Sequence, residues 1–124
     1  MSPNPPTTPS ELSEQLPLAK ELDRAGLDWF HVPNGGSRQG GREGALLKSA
    51  GVKAGVPGVL ILSASSGAPG GTALELKRTD GTLADVAREQ WRGLARVEAK
   101  GFRAIVAFGW RDAIERLRSL GYVF

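Results

Sequence analysis

Apolar positions along this chain fall into short blocks that switch between helical and strand spacing. Leu12, Leu16, Ala19 and Leu22 recur every three or four residues, which gives a helix one apolar stripe, and Ser10 before them offers an N-cap. Pro17 lies inside this pattern and weakens or kinks the predicted helix, because it has no N–H to donate. Gly26 ends it. Residues 28–32 alternate as a short strand, with Phe30 and Val32 on one face and Trp29 and His31 on the other. A glycine-rich loop follows over 33–41, then a short predicted helix over 42–50 that stops at Gly51. Residues 59–62, Val-Leu-Ile-Leu, are apolar on both faces, as expected of a central strand covered on two sides. Small residues over 63–71 make a turn region, and 72–77 reads as a second strand, the hairpin partner of the first.

Asp80-Gly81 marks the next turn, and Thr82 with Asp85 three residues on resembles a capping box. The spacing predicts a helix over 83–100 with Leu83, Val86, Ala87, Leu94 and Val97 on one stripe, ending at Gly101. A strand over 104–108 precedes a last helix over 112–120. In that helix Ala113, Ile114, Leu117 and Leu120 point inward, and Arg111, Arg116 and Arg118 form a basic side. The order α-β-α-β-β-α-β-α belongs to the α/β class, a mixed central sheet flanked by helices. Residues 1–9 hold four prolines and little that packs, so they are expected to be a disordered lead-in to one domain over 10–124.

Composition narrows the chemistry. Cysteine is absent and His31 is the one histidine, so thiolate sites, disulfides and His-cluster zinc sites are excluded, and any divalent metal must be a hard cation on oxygen ligands. A net charge of +3 and a pI near 9.7 permit nucleic acid as a partner without demanding it. The N-terminus lacks the basic and apolar regions of a signal peptide, and no apolar run is long enough to span a bilayer, so a cytoplasmic location is expected.

The most informative stretch is Ala-Leu-Glu-Leu-Lys over 73–77. Strand alternation turns Leu74 and Leu76 one way and sets Glu75 and Lys77 side by side on the other face. Two readings of that pair stand: an exposed ion pair on an edge strand, or a carboxylate and an ammonium held within a site. Gln90 falls in the middle of the apolar stripe of the following helix, where a polar group needs a buried partner. It either bonds backbone or points at the face that carries Glu75 and Lys77.

The segments HVPNGGSR (31–38), REGALLKSAGVKAGVPG (42–58), LELK (74–77), EQWRGL (89–94) and GFRAIVAFGWRDAIERL (101–117) together resemble the virus-type replication-repair nuclease (VRR-NUC) domain of the PD-(D/E)XK nuclease superfamily. The resemblance implies a restriction-endonuclease-like core and metal-dependent hydrolysis of DNA phosphodiesters. It also implies branched or junction DNA in replication and repair as substrate, with family members of this size acting as homodimers. On matched positions, Glu43 is the first acidic residue, which helps bind or orient Mg²⁺ or Mn²⁺. Glu75 is the metal-ligating glutamate, and the carbonyl of Leu76 is a further ligand. Lys77 orients the attacking water or stabilises charge on phosphate, and Gln90 lines the site. One position departs from the pattern. Where the family has a metal-bridging aspartate after Gly-Val-Pro, this chain has Gly58, which supplies no side-chain oxygen. Strongly reduced cleavage is therefore expected.

Asn34, Arg38, Arg42, Lys48, Lys53 and Arg78 are candidates for phosphate contacts, each with a solvated surface position as the alternative. His31 is either a packed strand residue or points toward the site, and packing accounts for Trp91. A catalytically silent DNA-binding module and a protein-interaction domain on the same scaffold are the competing readings.

Overall fold

The computed structural model describes residues 10–33, 45–46, 48–51 and 53–124. The expectations for residues 1–9, the glycine loop from 34 onward, and Asn34, Arg38, Arg42 and Glu43 lie outside the described residues.

Helix α1 (Glu11–Arg24) begins where Ser10 accepts a hydrogen bond from the Ser13 amide at 3.2 Å, as the N-cap pattern requires. It runs through Pro17 without a break and ends at Gly26, whose φ of 73° suits glycine. The buried face differs from the expected stripe. Leu18 and Leu22 are buried together with Glu14, whereas Leu12 and Leu16 are exposed. The apolar periodicity carried no information about Glu14, which reaches its burial through hydrogen bonds.

Strands β1 (Trp29–His31), β2 (Val59–Ile61), β3 (Thr72–Lys77) and β4 (Arg103–Phe108) form one sheet in the order β1-β2-β3-β4. The first three pair antiparallel, and β3 pairs parallel with β4, which makes the sheet mixed as expected. Parallel pairing needs a crossover, and helix α2 (Arg88–Glu98) supplies it. Helix α3 (Trp110–Ser119) follows β4. Ala45, Leu46, Lys48 and Ser49 are helical, in keeping with the short helix predicted there.

Helices α1 and α3 pack on each other and on β3, burying Leu18, Leu22, Leu74, Ala113 and Leu117. Helix α2 also packs on β3 and on β4. The single helix expected over 83–100 is two pieces: a 3₁₀ turn at Leu83–Asp85 and then α2, with Val86 and Ala87 extended between them. The Asp85 carboxylate accepts from the Thr82 amide at 2.7 Å, so the expected capping contact closes one short turn instead of opening a long helix. Leu83 is consequently exposed rather than part of the stripe. Leu62, beyond the end of β2, is also exposed. No described helix is long and apolar enough to cross a membrane.

Candidate active site

Every residue of β3 is buried, because the strand lies between β2 and β4 and is covered by helices. Leu74 and Leu76 enter the main core, and Glu75 and Lys77 point the other way, each only 7% exposed. That burial removes the exposed-ion-pair reading. The register that sets Val59 beside Leu74 brings Gly58 across from Glu75.

Gln90 sits in the first turn of α2 and faces this pair. Its Oε1 accepts from Lys77 Nζ at 2.9 Å and from the Ala87 amide at 2.9 Å, while its Nε2 donates to Glu75 Oε2 at 3.1 Å. Lys77 Nζ lies 3.8 Å from the same Glu75 oxygen. One amide thus caps its own helix and orients both charged groups, so the two readings of Gln90 hold together. Ala87 has no side-chain oxygen, and the capping of α2 rests on Gln90 alone.

Burial pushes the Glu75 carboxyl up from 4.5 to about 7, against the pull of Lys77; Glu11 adds to the rise, and a hydrogen bond from the Gly58 backbone works against it. A carboxyl that titrates near neutrality can give up its proton to bind a cation, or in its ionised form accept one. Glu11, in the first turn of α1, was not singled out from the sequence, where it read as an ordinary acid at a helix start. Its field on Glu75 is what brings it to the site.

Position 58 has room. A Cβ built on Gly58 meets the His31 ring at 3.7 and 3.9 Å and Val32 O at 3.9 Å, all ordinary contacts, and its φ is not positive. His31 is exposed rather than packed, and its Nδ1 is 2.7 Å from Gly58 O, which also accepts from the Val32 amide at 2.7 Å. The segment before Gly58 passes directly under α2. A side chain on Gly55 would collide with Glu89 O, and one on Gly93 with Gly55 O. Two glycines are needed for helix and chain to approach this closely.

Among the described residues, no three His, Asp or Glu side chains come together as a group able to hold a metal. The Glu75 carboxylate is the kind of oxygen ligand a hard cation takes, and Gly58 across from it offers no side-chain oxygen. Of the candidate phosphate contacts, Lys48 and Lys53 are exposed. Arg78 forms an exposed ion pair with Asp80 at 2.9 Å.

No family model matches the chain and no curated protein matches it. Among solved structures, it is similar to a VRR_NUC domain protein with a TM-score of 0.73, across 93% of this chain and 93% of that one, at 22% sequence identity. The chain has the VRR-NUC fold. Within the VRR-NUC fold, Glu75 and Lys77 stand on the central strand and Gln90 on the crossover helix, so one βαβ unit carries all three.

Proposed function

We propose that this chain is a metal-dependent DNA endonuclease whose cleavage is impaired at Gly58. The observation that supports the reading is the buried Glu75–Lys77–Gln90 group facing a backbone position that has space for a side chain and lacks one. In this reading Glu75 and the Leu76 carbonyl, with Glu43, would hold Mg²⁺ or Mn²⁺, which would supply Lewis-acid activation of water and charge neutralisation at phosphate. Lys77 donates a hydrogen bond to the water or to a phosphate oxygen, in a site dry enough to strengthen that contact. Gln90 keeps both charged groups aimed. Branched or junction DNA is the proposed substrate, and two copies related by a two-fold axis suit a symmetric junction.

The deciding experiment is Gly58→Asp, assayed on a labelled four-way junction with Mg²⁺ or Mn²⁺. Cleavage is expected to rise by roughly 100-fold or more, the scale of regaining one charge-stabilising contact in a site. A folded variant that stays inert with both metals refutes the endonuclease reading. The missing oxygen at position 58 also favours a second reading, a DNA-binding module that does not cut. Under it, salt-dependent DNA binding persists while Gly58→Asp gains nothing.

A further inference from the structure

A groove of about 600 Å³ runs along α2 on the flank nearest the Pro57–Gly58 segment. Its floor is apolar, made by Val56, Pro57, Val97 and Phe102. Lys53, Arg92, Arg96 and Lys100 line it as well, against one acid, Glu89. All four cations are exposed, and among the described residues none is in an ion pair. Four free cations beside an apolar floor are not needed for the fold, which gains little from exposed charge.

Arg92 and Arg96 lie one helical turn apart, about 6 Å along the axis of α2, and Lys100 follows in the turn just past its end. That spacing is comparable with successive phosphates of an extended strand. The groove also adjoins the site. Pro57 and Glu89, which line it, are the chain neighbours of Gly58 and Gln90, and Arg96 stands about 9 Å along the axis of α2 from Gln90.

We propose that this groove seats single-stranded nucleic acid leading away from the Glu75–Lys77 site, with phosphates on Arg92, Arg96 and Lys100 and a base against Phe102. The proposal rests on the nuclease reading and adds to it the form of the substrate on one side of the cut. The apolar floor selects the single strand: a duplex offers the groove only phosphate and sugar, whereas an unpaired base has a face to bury.

The test is fluorescence anisotropy of a labelled oligothymidylate and of a matched hairpin duplex, in EDTA so that nothing is cut, from 50 to 200 mM salt. The triple variant Arg92→Gln/Arg96→Gln/Lys100→Gln is expected to weaken single-strand binding by on the order of 10- to 100-fold at low salt and to reduce the salt slope by about 2, three contacts at roughly 0.7 each. Phe102→Leu, which keeps an apolar floor, is expected to weaken single-strand binding by roughly 3- to 10-fold and leave the duplex unchanged. Thermal melts establish that each variant is folded. The groove proposal is overturned if the parent binds no single strand at low salt, if the triple variant keeps parental affinity and slope, or if both variants weaken duplex and single strand alike. Failure here beside strong cleavage by Gly58→Asp removes the groove assignment alone; an inert Gly58→Asp removes the nuclease reading whatever the groove binds.

Discussion

Lys77 brings an ammonium into a strand that water hardly reaches, and two oxygens answer it: Gln90 Oε1 at 2.9 Å and Glu75 Oε2 at 3.8 Å. Truncating it leaves Glu75 buried without its cation and takes one of the two donors from Gln90 Oε1. Lys77→Ala is therefore expected to cost about 1–3 kcal/mol of stability, the scale of an unsatisfied buried polar group. In the Gly58→Asp background the same change should abolish cleavage. Urea midpoints and the junction assay read the two effects separately. Lost cleavage with unaltered stability would mean that Gln90 and Glu75 pair without the lysine. At this scale the sequence was legible where residue type and element period disagreed. Gln90 stood out because it interrupts an apolar stripe, whereas Gly58 stood out only against the aspartate that the resemblance puts at that position. Glu11 gave no such disagreement, since an acid in a first helical turn is ordinary.

Among the elements, Glu14 joins α1 to the start of α3, distant in sequence but packed against it. Only 2% exposed, it accepts from the Trp110 amide at 2.9 Å and from the Thr79 hydroxyl, so its charge sits at the N-terminus of α3. Glu14→Ala strands two donors and is expected to destabilise the fold by about 2–3 kcal/mol, with Glu14→Gln costing less because its amide oxygen still accepts. Chemical denaturation of the two variants checks the order; equal losses would show that charge rather than acceptance matters. The strand over 72–77 was readable from alternation and the start of α1 from Ser10, whereas Thr82 marked only a short turn. The break at Val86–Ala87 was not, because both residues continue the apolar period while their backbone is extended. Two extended residues are too short a stretch to register against the period of a window several turns long.

For the molecule as a whole, the raised Glu75 sets a pH dependence. Folded protein holds the Glu75 proton up to about 7, and the unfolded chain releases it near the ordinary value of 4.5. Folded protein therefore binds more protons between those values, and stability falls as pH rises from about 4.5 to about 7, then levels. The shift corresponds to on the order of 3 kcal/mol across that window. Glu75→Gln should lose this component: its melting temperature between pH 5 and 8 should fall less than the parent's. Parallel profiles would place the titration elsewhere.

The glycine contact between α2 and the chain before Gly58 restricts how the cleft can open. With Gly93 resting on Gly55 backbone to backbone, no side chains lie between the two walls to act as rollers. Any ligand that needs more width must bend the helix or swing the 53–57 segment as a piece, since the surfaces cannot slide past one another. A bulkier residue at either glycine would wedge the jaws apart at their hinge, carrying Gln90 away from Lys77 even though both side chains remained intact.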